Sequence, residues 1–86
     1  MREDQIEQRL VRGVKRLGGA AEKFTSPGRR SVPDRLITLP GGRNVFVECK
    51  RPGRTATTLQ ARDHERRRAL GCVVYVVSTP GEVDAV

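Results

Sequence analysis

Val32-Pro33-Asp34-Arg35-Leu36-Ile37-Thr38-Leu39, Pro40-Gly41-Gly42-Arg43 and Asn44-Val45-Phe46-Val47-Glu48-Cys49-Lys50 form the continuous stretch that decides the fold. Residues 32–39 and 44–50 are β-type segments on either side of a short Gly-containing loop, the pattern of a hairpin. Arg51-Pro52-Gly53-Arg54 breaks the second strand. Folding about residues 40–43 brings Asp34 and Glu48 opposite or diagonal to each other, about 5–8 Å apart between Cβ atoms. Two carboxylates that close repel unless a cation lies between them. Hard divalent cations such as Mg²⁺ take oxygen ligands, among them one or two carboxylates, water and substrate phosphate. Lys50 follows Glu48 by two residues, so strand alternation puts both side chains on one face. An ammonium there can orient or help deprotonate an attacking water, or stabilise charge developing on phosphate. These parts describe metal-dependent hydrolysis of a phosphodiester.

On the C-terminal side, Thr57-Thr58-Leu59-Gln60 reads as a capping box, Thr57 capping the helix and Gln60 reaching back. The helix is expected to run to about Leu70, with Gly71 ending it. Its apolar residues, Leu59, Ala69 and Leu70, make a poor stripe, and Arg62, Arg66, Arg67 and Arg68 make much of its surface cationic. Residues 72–77 are a continuous apolar run, as expected of a buried central strand. Thr79-Pro80-Gly81-Glu82 repeats the capping-box pattern, with room for only a stub of helix. On the N-terminal side, Ile6, Leu10, Val14 and Leu17 form one stripe of an amphipathic helix over residues 3–17, ended by Gly18-Gly19. A short strand is expected over residues 20–24, followed by a basic loop, Thr25-Ser26-Pro27-Gly28-Arg29-Arg30. The order is α-β-β-β-α-β, and the fold class is α/β: a mixed β-sheet flanked by helices.

The whole chain has 86 residues, with 17 Lys plus Arg against 10 Asp plus Glu and a net charge of +7. That length fits a single domain, residues 1–86, and excludes a multidomain enzyme. The apolar fraction of 36% leaves little core to spare, so a partner subunit would add stability. No apolar run approaches the roughly 20 residues of a membrane span, and Met1-Arg2-Glu3-Asp4 leads into no signal-peptide core. Cys49 and Cys72 cannot build a disulfide framework or a four-ligand zinc site and read as small core fillers. A reduced, cytoplasmic protein is the expectation. The charge calls for a polyanion, and with only Phe24, Phe46 and Tyr75 as aromatics, base-stacking readers are disfavoured. Eight of the basic residues fall between Lys23 and Arg54. Lys23, Arg29, Arg30, Arg35, Arg51 and Arg54, with Arg66 and Arg67 on the second helix, are the candidate phosphate contacts. His64, among charged helix residues, reads as solvent-exposed.

Val32-Pro33-Asp34, Phe46-Val47-Glu48-Cys49-Lys50 and Gln60, in this order and spacing, resemble the signature of the PD-(D/E)XK nucleases. The resemblance is closest to the VRR-NUC branch, in its minimal stand-alone phage or bacterial form, and extends from Glu7 to Val77. It includes Ser26-Pro27-Gly28-Arg29-Arg30, Pro33-Asp34-Arg35-Leu36, Pro40-Gly41-Gly42 and Gly71. Ser31 stands where the family has Gly, and Arg67 where an apolar helix residue is expected. The resemblance implies that Asp34, Glu48 and the backbone carbonyl of Cys49 ligate Mg²⁺ or Mn²⁺, that Lys50 serves the attacking water, and that Gln60 supports the site. It also implies an acid from the first helix, matched to Glu7 with Glu3 one turn earlier as the alternative. A homodimeric DNA endonuclease acting on four-way (Holliday) junctions follows, in a bacterial or phage-infected cell. Cutting two strands with one site per subunit also favours two-fold symmetry on physical grounds. The rival readings are a non-catalytic basic nucleic-acid-binding module and a nuclease subunit of a larger restriction or repair assembly.

Overall fold

The computed structural model describes residues 1–29 and 31–86. Its centre is the hairpin of β2 (Arg35–Leu39) and β3 (Arg43–Cys49), antiparallel from Arg35↔Val47 to Leu39↔Arg43. Gly41 and Gly42 both adopt positive φ in the turn, where a β-carbon would be strained. β2 starts at Arg35 rather than at Val32, because Pro33 has no N–H to give a ladder. β1 (Ala20–Lys23) adds to β2 antiparallel, and β4 (Val74–Val77) adds to β3 parallel. The sheet order is β1-β2-β3-β4, so the last strand is an edge strand and not the central one expected from its apolar run. It is also shorter than that run, since Cys72 and Val73 lie outside it. Val74 and Val77 are nevertheless buried.

Helix α1 (Glu3–Arg16) buries Ile6, Leu10 and Val14 against Ile37, Val45, Val47, Cys49 and Val77. Truncating Ile6 or Leu10 to alanine would remove about 2–5 kcal/mol each. The helix closes with Gly19 N–H on Val14 O at 2.9 Å and Gly18 N–H on Lys15 O at 3.0 Å, the paired bonds of a Schellman end. A β-carbon at Gly19 would stand 2.6 Å from Thr38 O, so the chain can enter β1 this tightly only with glycine. The stub helix α3 (Pro80–Ala85) is capped by Thr79, which accepts from Glu82 N–H at 3.1 Å. It adds Val83 to the core and ties to α1 through a two-pronged Arg9–Asp84 ion pair, 3.0 and 2.7 Å.

Alternation along β3 sends Val45, Val47 and Cys49 to this core, and Phe46, Glu48 and Lys50 to the opposite face. Helix α2 (Thr58–Ala69) covers that opposite face, and it does so with polar residues. Leu59 and Leu70 are 64% and 74% exposed, while Asp63 and His64 are buried, so the expectation of an exposed His64 is corrected. Arg67 takes the place of the expected apolar residue. Its guanidinium lies 5.2 Å from the Phe24 ring centroid and 4.9 Å from that of Phe46, and its Nε donates to Asp63 at 2.7 Å. The aliphatic stem and cation–π contacts do the packing that leucine would do elsewhere. Burial, with Arg68 and Arg67 nearby, holds the His64 pKa below its ordinary value. Among the described residues no helix is long and apolar enough to cross a membrane.

Candidate active site

The hairpin register sets the site. Asp34 stands one step beyond the last ladder pair, Arg35↔Val47, and therefore beside Glu48. Two bonds hold it there: Phe24 N–H donates to its carbonyl at 2.9 Å, and Cys49 N–H donates to its Oδ2 at 3.0 Å. The first turn of α1 brings in Glu3. One carboxylate oxygen each from Glu3, Asp34 and Glu48 lie within 4.8 Å of one another.

Glu48 is only 1% exposed. Its Oε2 faces Lys50 Nζ at 3.4 Å and accepts from Gln60 Nε2 at 3.2 Å. Its Oε1 is buried with no hydrogen-bond partner among the described residues. Burial first, and the neighbouring Asp34 second, push the Glu48 carboxyl up to about 7, against the opposing pull of Lys50. Gln60 makes two connections at once: its Oε1 accepts from Thr57 N–H at 2.9 Å in a complete capping box, while its amide reaches Glu48. Burial and Asp34 raise the Cys49 thiol to about 12, so its side chain is a neutral core member.

The other candidates divide. Glu7, the first match for the helix acid, is held by Arg35, whose Nε donates to it at 2.8 Å; it lines the cavity beside the cluster, while Glu3 joins the cluster itself. The same pair engages Arg35, a candidate phosphate contact, whose guanidinium also donates to Ala21 O at 3.0 Å and is largely covered. Arg67 is engaged likewise, with Asp63 and the two rings. Lys23 lines a cavity of about 220 Å³ with Glu3, Glu7, Phe24, Thr25 and Asp34. On the other side of Glu3, a second cavity of about 220 Å³ is lined by Lys50, Arg51, Arg54, Thr55 and Thr57. The carboxylates thus lie between an acidic and a basic opening. Arg29 and Arg66 gather near Asp63, and Arg30 lies outside the described residues. The role of Asp63 was not readable beforehand; its one sequence signal is an acid in a run of arginines.

An all-oxygen set of three carboxylates with one buried, unpartnered oxygen fits a hard divalent cation. Repulsion among the acids is what such an ion relieves, and Lys50 alone leaves them short of positive charge.

No protein-family model matches the chain. Over 79 residues it is 54% identical to a protein named "Putative nuclease p44" of Acyrthosiphon pisum secondary endosymbiont phage 1, covering 92% of this chain and 85% of that protein. A solved structure described as "VRR_NUC domain" matches with a TM-score of 0.91 at 34% identity, over 96% of this chain and 90% of the other.

Proposed function

Because the chain belongs to the VRR-NUC family of nucleases, we propose that it is a Mg²⁺- or Mn²⁺-dependent DNA endonuclease whose catalytic centre is Glu3, Asp34, Glu48, Lys50 and Gln60. The observation that carries this reading is the convergence of three carboxylates on one point, with the buried Glu48 Oε1 left without a partner. Glu3, Asp34, Glu48 and the Cys49 carbonyl would hold the ion. When bound, it supplies Lewis acidity toward the scissile phosphate and acidifies water.

The chain's own residues do the rest. Lys50 keeps its ammonium against Glu48, where it can steer the attacking water or balance charge growing on the phosphate. Gln60 fixes the Glu48 carboxylate from a helix end that its own capping box makes rigid. Asp34 is aimed by the Cys49 N–H, so its second oxygen stays available. Arg51 and Arg54, with the hydroxyls of Thr55 and Thr57, line the basic opening and offer a path for the flanking phosphates.

Four-way junctions are the proposed substrate and a homodimer the proposed working unit, in the cytoplasm of a bacterial or phage-infected cell. Two symmetric cuts require two sites, and two-fold symmetry is the commonest way to place them. The test is a cleavage panel with Mg²⁺ and Mn²⁺ on junction, flap, single- and double-stranded DNA, paired with gel filtration. Junction cleavage by a dimer, abolished in Asp34→Ala and Lys50→Ala, is expected. Full activity of Asp34→Ala would defeat the nuclease assignment as drawn. A monomer that cuts only beside another protein would favour the assembly-subunit reading.

A further inference from the structure

We propose that the open cavity between Arg29, Ser31, Arg62 and Arg66 is a second phosphate site, which grips a phosphate of the DNA chain away from the one at the carboxylates. The inference rests on the reading that DNA is the substrate. The cavity measures about 270 Å³ and is lined by those four residues with Leu59 and Asp63. It belongs neither to the acidic nor to the basic opening at the catalytic cluster.

The reason lies in how charge is matched around Asp63. This carboxylate is almost fully buried, and Arg67, itself mostly covered, donates to its Oδ2 at 2.7 Å. One cation already neutralises it. Yet Oδ1 also faces Arg66 Nη2 at 3.2 Å and Arg29 Nη1 at 3.7 Å, and both of those side chains remain about half open to solvent. Arg62 is exposed and makes no ion pair among the described residues. Among the described residues, three guanidiniums therefore line one opening with a single carboxylate, Asp63, whose charge Arg67 already matches. Asp63 acts as a positioning residue: it aims arginines that would otherwise spread away from each other.

Leu59, Arg62, Asp63 and Arg66 recur at i, i+3, i+4 and i+7, so they share one face of α2. Arg62 and Arg66 follow Gln60 by two and six residues. At a rise of about 1.5 Å per residue they lie roughly 3–9 Å farther along the helix axis. They also lie about 120–160° around the helix from Gln60, so the DNA segment gripped here is one that passes round α2 from the catalytic cluster rather than one that runs straight along it. Arginine forks suit phosphate oxygens, the Ser31 hydroxyl adds a donor, and exposed Leu59 at the rim suits the apolar side of a deoxyribose.

The test is metal-free binding of labelled duplex and single-stranded oligonucleotides, followed by anisotropy over a range of salt. Arg62→Ala/Arg66→Ala should weaken binding roughly eightfold at about 0.1 M salt and lower the log–log salt slope by about 1. Arg62→Ala alone, which removes no ion pair, should give part of that loss. Arg16→Ala, a charge-matched change on α1, should give none. In cleavage assays the double variant should raise KM while kcat stays within about twofold. Equal losses with 5′-phosphate and 5′-hydroxyl ends assign the pocket to an internal phosphate; a loss confined to phosphorylated ends assigns it to a terminal one. Wild-type affinity and slope in the double variant overturn the proposal, even if the protein cuts DNA. A reduced slope in a protein that never cuts DNA upholds the pocket and defeats only the nuclease reading.

Discussion

Glu48 and Asp63 are both buried carboxylates on the α2 side of the sheet, and their surroundings are opposite. Asp63 touches three guanidiniums; Glu48 has one ammonium and one amide on the same oxygen, with two further acids near it. Burial disfavours ionisation at both. At Asp63 the hydrogen bonds from Arg67 and Arg66 outweigh burial and carry its pKa below the ordinary value. At Glu48, Asp34 adds to burial, and the carboxyl titrates near 7. Burial alone therefore does not say what a carboxylate is for. An acid supplied with cations by the chain is part of the framework, and an acid left short of them is a place for a cation from outside.

The sharpest way to break this contrast is through activity. Asp34→Ala or Lys50→Ala should lower cleavage by about 10³-fold or more while leaving metal-free DNA binding largely intact, as measured by single-turnover assays and anisotropy. Gln60→Glu comes next. Glutamate can keep the capping bond to Thr57 N–H but cannot donate to Glu48, so helix stability should persist while cleavage falls about tenfold. Gln60→Ala should lose both.

The remaining expectations concern stability. Asp63→Ala strands Arg67 inside the protein and should cost about 2–3 kcal/mol, a fall of roughly 10 °C or more in Tm. Because the Asp63 pKa is depressed, its stabilisation is present above 3.8, its ordinary value, and lost as pH falls through the lower folded one. Urea unfolding at acid and neutral pH should show that loss in the wild type and much less of it in Asp63→Asn. Glu48 has the opposite sign. Between its ordinary 4.5 and about 7 the unfolded chain ionises while the folded one resists. Metal-free protein should therefore lose about 2 kcal/mol as pH rises through that window, after allowance for solvent screening. Glu48→Gln should flatten the slope, and added Mn²⁺ should oppose it in the wild type only.

The hairpin, the Ile6, Leu10 and Val14 stripe of α1 and the capping box at Thr57 and Gln60 were legible because each rests on neighbours in sequence. So was the proximity of Asp34 and Glu48, which follows from counting residues around Pro40-Gly41-Gly42. Leu17, expected to extend the α1 stripe, instead lies past the helix end and is exposed. What escaped depends on distant partners. Glu3 and Glu7 are one helical turn apart, and what separates them is Arg35, on a different element, which claims Glu7. The inward face of α2 was invisible to hydrophobic periodicity because Asp63, His64 and Arg67 form it. The edge position of β4 was hidden because its residues are covered on both faces, which gives an edge strand the composition of a central one.

The contrast between the two acids reduces to whether a cation occupies the space among Glu3, Asp34 and Glu48. Crystals soaked in Mn²⁺ and measured at an anomalous wavelength answer this directly. A single strong peak bounded by those three carboxylates is expected. The three acids turned apart with no peak between them, in a protein that still cleaves DNA, would contradict it.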